Sequence, residues 1–115
     1  MEDLQKFETE WGYYLIIIEP LDAFMTQYQA KKLFINPNAE TPLIAHRNRS
    51  TVWDFVQGVG VANIGDKNNI NINENVKLKV SNNIFAQLKN ISDKEYLVII
   101  QTEIGKNLHK DDIIY

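Results

Sequence analysis

The sequence predicts an α+β fold: a mainly antiparallel sheet of about five strands with two or three helices, the first two in the N-terminal third. Three patterns carry that expectation. Residues 70–80 alternate apolar and polar, broken on the apolar side only by Glu74, which describes a strand with one dry and one wet face. Residues 13–19 form a near-continuous apolar run with three consecutive isoleucines, the signature of a strand buried on both faces and central in its sheet. Around that run, Leu4, Phe7 and Trp11, and then Leu21, Phe24, Met25 and Tyr28, recur at helical spacing.

In chain order, the first helix ends at Gly12, a natural terminator, with acidic residues on its exposed side. The strand over 13–19 stops at Pro20, which suits the first turn of a second helix running to about Leu33, with Lys31 and Lys32 near its far end where cations are favoured. Residues 36–42 contain Pro37 and Pro42 and predict a surface loop.

After the polar turn Arg47, Asn48, Arg49, Ser50, alternation resumes at Thr51, with Trp53, Phe55, Val59 and Val61 on one face. Residues 65–69 are turn-formers, so a long hairpin is expected from 51 to 80, with Ile70, Ile72, Val76, Leu78 and Val80 inward and Asn71, Asn73, Asn75, Lys77 and Lys79 outward. Gly58 and Gly60 within it predict a weakened or bulged strand, or the close approach of another backbone. Glu74, on the apolar face, predicts a bulge, a buried partner or a sheet edge. Ile84, Leu88 and Ile91 behind Ser81, Asn82 and Asn83 fit a short helix, and a strand fits nearly as well. Residues 95–103 read as a well-buried strand, and 113–115 as a final edge strand.

At 115 residues the chain suits a single globular domain over 1–115, burying roughly 65% of the surface of its extended form. Hydrophobic content of 44% with 23% charged residues is ordinary for a globular protein. The absence of cysteine excludes disulfides, thiolate metal sites and thiol nucleophiles. Acidic residues at the N-terminus, where a secretory signal needs a basic start, and an apolar run far too short for a bilayer lead to the expectation of a cytoplasmic protein with no membrane contact.

Net charge is −3, unevenly spread: residues 1–24 hold six carboxylates against the single Lys6, a local −5, while the other 91 residues balance to +2. An acidic end weakens the case for nucleic acid and suits a basic protein partner; the plainer alternative is that carboxylates favour helix starts.

Chemistry-bearing constellations are sparse. His46 and His109 invite an acid and base pair able to cleave RNA or handle phosphate, with Arg47 and Arg49 as anion contacts; exposed loop histidines on a solvated turn are the alternative. His109, Asp111 and Asp112 offer too few ligand types for a metal centre, and no cofactor is expected. The stretch Gly58, Val59, Gly60 lacks the rest of a nucleotide loop, and no serine elbow is present. By exclusion, the expected function is a non-catalytic bacterial inhibitor or immunity protein that neutralises a basic toxin such as a nuclease, through Glu2, Asp3, Glu8, Glu10, Glu19 and Asp22 with Trp11 and Tyr14 as anchors. The alternatives are the His46 and His109 enzyme and an oligomeric structural or accessory subunit.

Overall fold

The computed structural model describes residues 5–23, 26–106 and 112–115, with side chains omitted for 19–23. Eleven strands form all of its regular sheet structure: β1 (Lys6–Glu8), β2 (Gly12–Ala23), β3 (Thr26–Ile35), β4 (Ala45–His46), β5 (Arg49–Gln57), β6 (Gly60–Ile64), β7 (Lys67–Ile72), β8 (Lys77–Val80), β9 (Ala86–Asn90), β10 (Leu97–Gly105) and β11 (Ile113–Ile114). All pairings are antiparallel. A six-stranded sheet has the order β1-β2-β3-β10-β5-β8; β7-β6-β9 form a second, and β11-β4 a pair. Bridges from Glu40 to Lys89 and from Ile44 to Ala86 lay residues 40–44 along β9, so the second sheet continues toward β4 and β11. Leu33, Ile35, Trp53, Phe55 and Ile99 of the large sheet pack with Ala62, Ile72, Ala86 and Leu88 of the other in one buried cluster. Burying each of the larger apolar side chains contributes roughly 1.5–3 kcal/mol.

The expected helices are absent among the described residues, which replaces the α+β expectation with an all-β one. Phe7 lies on β1, opposite Tyr14 in the register, and their rings stack 5.0 Å apart. Gly12 opens β2 rather than closing a helix; a Cβ there would stand 1.9 Å from the Phe34 carbonyl oxygen. The second predicted helix is the end of β2 and most of β3. Its helical spacing was fortuitous: Gln29, Lys31, Leu33 and Ile35 alternate onto one face, and the polar members of that set hide the strand period. Phe24 and Met25 lie outside the described residues. β2 is flanked by β1 and β3, but it is not buried on both faces, since Ile17 and Ile18 are exposed.

The hairpin expected over 51–80 is correct at its ends and wrong in its middle. Thr51 pairs with Val80 and Trp53 with Leu78, yet the chain between leaves for the second sheet, where β6 and β7 form their own hairpin. Glu74 marks the return corner, exposed beside Asn75, whose φ of 76° turns the chain. The alternation of 70–80 therefore spans two sheets, with its apolar members still directed at the core and its Asn and Lys members exposed. At the outgoing corner another backbone does pack close, because a Cβ on Gly60 would meet the Lys89 carbonyl oxygen at 2.5 Å. Residues 86–90 are strand, the 95–103 segment appears as β10, and 113–114 form β11. No described helix is long and apolar enough to cross a membrane.

Candidate functional site

Three adjacent strands build the site by changing character along their inward faces. From the core end outward, β3 presents Ile35, Leu33, Lys31, Gln29; β5 presents Phe55, Trp53, Thr51, Arg49; and β10 presents Leu97, Ile99, Gln101, Glu103. The register holds them in rows: Leu33, Ile99 and Phe55, then Lys31, Gln101 and Trp53, then Gln29, Glu103 and Thr51. A face that begins as hydrophobic core thus ends as a charged floor. Above it opens a cavity of about 580 Å³, walled by residues such as Trp11, Tyr14, Ile44, Ala86 and Leu88.

Glu103 is the centre of the floor, 1% exposed. Its Oε1 accepts from Gln101 Nε2 at 2.5 Å and lies 3.3 Å from Lys31 Nζ; its Oε2 accepts from Gln29 Nε2 at 2.5 Å and from Arg49 Nη1. Burial pushes the carboxyl pKa up, but Lys31, Arg49 and the two amide donors outweigh it and hold the group below the ordinary glutamate range. Each oxygen already has two donors, so Glu103 is an ionised anchor rather than a base with a lone pair to spare. Gln101 in turn accepts from Trp53 Nε1 at 2.8 Å, which fixes the indole edge.

Arg49 is 5% exposed and carries the network to Asp112, 2% exposed, through an Nε to Oδ2 bond of 2.9 Å. Asp112 Oδ1 accepts the Asn48 N–H at 2.7 Å. A divalent cation does not fit this donor set, because both carboxylates are filled by N–H groups, and among the described residues no group of three or more His, Asp or Glu could hold one. Of the trio weighed from sequence, His109 and Asp111 lie outside the described residues.

His46, on β4, is half-buried and lines the cavity. Burial lowers its pKa first and Arg49 adds to that, against partial opposition from Glu103 and Asp112, so the imidazole is neutral at neutral pH. Its Nδ1 is buried without a hydrogen-bond partner; Thr9 Oγ1, also in the cavity wall, is the other such side-chain atom among the described residues. Tyr14 lies under the Lys31 ammonium, 5.1 Å from the ring centroid, and burial followed by the Glu103 charge raises its pKa, so it keeps its proton.

Of the partner-binding residues expected from sequence, Trp11 and Tyr14 line this cavity. Glu8 and Glu10 are exposed, with Glu8 paired to Lys6 at 3.2 Å. Glu2 and Asp3 lie outside the described residues; Glu19 and Asp22 are on β2 with side chains outside the described set. The basic turn 46–49 is not uniformly solvated, since Arg49 is buried. Sequence reasoning missed Gln29, Lys31, Gln101 and Glu103, whose signal was polar residues at consecutive inward positions of otherwise apolar strands.

Residues 2–115 match the family model described as mannose-6-phosphate isomerase C-terminal. No curated protein matches the chain in sequence. Among solved structures, the cupin domain of Schizosaccharomyces pombe Cnp3 is 15% identical with a TM-score of 0.66, covering 80% of this chain and 64% of that one. The capsular polysaccharide assembling protein CapF of Staphylococcus aureus is 13% identical with a TM-score of 0.72, covering 100% of this chain and 34% of that one. A putative sugar phosphate isomerase from Acidithiobacillus ferrooxidans is 15% identical with a TM-score of 0.56, covering 69% of this chain and 49% of that one. The chain thus spans under two thirds of the Cnp3 chain and a third of the CapF chain. At such identities the likeness shows the fold, a cupin or double-stranded β-helix. The family match overturns the expectation of a non-catalytic inhibitor or immunity protein and points to an isomerase-like enzyme family.

Proposed function

We propose that this chain, which belongs to the mannose-6-phosphate isomerase C-terminal family, is an enzyme domain that binds a sugar phosphate in the cavity and moves a proton between adjacent sugar carbons. The observation that carries the reading is one large cavity over the buried charged floor, walled by the half-buried neutral His46 and by Thr9, whose Oγ1 is buried without a partner. Buried polar atoms are otherwise satisfied almost everywhere in folded proteins, so an orphaned hydroxyl in a cavity wall points to a polar ligand. The aromatic surfaces of Trp11, Tyr14 and Trp53 suit the C–H faces of a sugar ring, and the polar floor suits its hydroxyls.

In an aldose–ketose interconversion, a base takes the proton from C2 beside the carbonyl, the C–H electron pair forms the C1–C2 double bond as the carbonyl pair moves to O1, the hydroxyl proton passes from O2 to O1, and the first proton returns to C1 as the C2 carbonyl forms. No oxidant or reductant is consumed. Neutral His46 supplies the base, while the Lys31 ammonium and the protonated Tyr14 hydroxyl donate to the developing oxyanion. Glu103 orients Lys31.

Incubation in D2O with mannose 6-phosphate, its ketose isomer and further aldose and ketose phosphates, followed by proton NMR, checks this. The expected result is isomerisation with solvent deuterium entering one carbon-bound position. Neither conversion nor exchange with any member of the panel would overturn it.

A further inference from the structure

The four described C-terminal residues form a strap across the site. Ile113 pairs with His46 and Ile114 with Ala45, while the Arg47 N–H donates to the Asp112 carbonyl at 2.9 Å. Ile113 and Tyr115 line the cavity itself. The strap is also tied from below, because the buried Asp112 side chain takes the Asn48 N–H and Arg49 Nε. This anchoring leaves Asp112 Oδ2 3.9 Å from His46 Nδ1. That gap is too long for a hydrogen bond, and Nδ1 has no other partner.

We propose that Asp112 is the positioning residue for His46: its carboxylate is the acceptor that keeps the imidazole proton on Nδ1, leaving Nε2 as the nitrogen with a free lone pair. Which ring nitrogen carries the proton is set by what the other faces. The remaining charged groups acting on His46 are Arg49 and Lys31, which disfavour its protonation, and Glu103, which with Asp112 favours it. Asp112 alone among these stands at Nδ1 within salt-bridge distance. A base built this way delivers Nε2 to the ligand in one orientation, and the C-terminal strap sets that orientation through both its backbone pairing and its side chain.

This rests on the reading of His46 as the base, but its test needs no sugar, so its failure is distinguishable from failure of that reading. Nitrogen-15 NMR of histidine-labelled wild-type protein reports the tautomer of each imidazole directly, with His46→Gln identifying the His46 signals. The neutral His46 is expected as the Nδ1–H tautomer. In Asp112→Asn, where an amide replaces the charge, the Nδ1–H population is expected to fall at least about twofold and the titration midpoint of His46 to move further down. A predominantly Nε2–H imidazole in the wild type overturns the proposal even if the variant does not fold. So does a folded Asp112→Asn whose His46 keeps the wild-type tautomer and midpoint.

Discussion

Replacing Arg49 by methionine is expected to destabilise the protein by about 3–5 kcal/mol at neutral pH, because it removes the cation shared by two buried carboxylates. Arg49 joins Glu103, 1% exposed, to Asp112, 2% exposed, and neither can turn to water. Urea denaturation of wild type and variant measures the loss. Adding Glu103→Gln to Arg49→Met should recover part of it by removing a buried charge left with fewer cations, so the double variant will be milder than the two losses summed. A loss under 1 kcal/mol would mean that the network contributes little.

The same network sets the acid side of the stability profile. Glu103 has a folded-state pKa below its ordinary value of 4.5, so the stability it contributes is complete above that value and disappears as the pH falls through the depressed one. His46, depressed from 6.5, starts the decline earlier: below that value the unfolded chain binds a proton that the folded one still refuses. Both groups act in the same direction, and stability decreases on acidification from about pH 6.5 downward. In Arg49→Met the Glu103 part of this profile flattens, because burial then raises its pKa with less to oppose it.

Replacing His46 by glutamine is expected to lower the rate of sugar isomerisation by roughly 10²- to 10⁴-fold, the usual contribution of a positioned base. Glutamine keeps much of the shape and a donor but accepts no proton. With that donor left to face Asp112, the variant should remain close to wild-type stability and bind sugar with little change. In the wild type, the rate should fall on acidification only below the depressed pKa of His46, as the base becomes protonated. An unchanged rate in the variant would remove His46 from the chemistry.

Much of the sheet structure was legible in the sequence where strands alternate cleanly. Residues 70–80 and 95–103 declared their faces, and the ends of the 51–80 pairing were correct because Trp53 and Leu78 both demand the core. What the sequence hid is what makes the site. β3 carries Gln29 and Lys31 on its inward face, and that breaks the apolar period which identifies strands; the same residues then passed for the end of a helix. β10 shows the same change from Ile99 to Gln101 and Glu103, inside a segment that read only as a well-buried strand. Glu74 shows the complementary lesson, since a carboxylate on a dry face meant a corner between sheets rather than a buried partner. Long-range pairing also escaped the reading: Glu103 meets Arg49 across 54 positions and Arg49 meets Asp112 across 63, and local periodicity carries no information on either.

The proposed activity requires that sugar enter the cavity over the Glu103 floor. Amide chemical-shift mapping with mannose 6-phosphate tests it most directly. The expected result is saturable shifts at 29–31, 46–49 and 101–103, with β6 and β7, none of whose residues lines the cavity, left unchanged. Shifts confined to β6 and β7, or no saturable response while the protein turns over the same sugar, would contradict it.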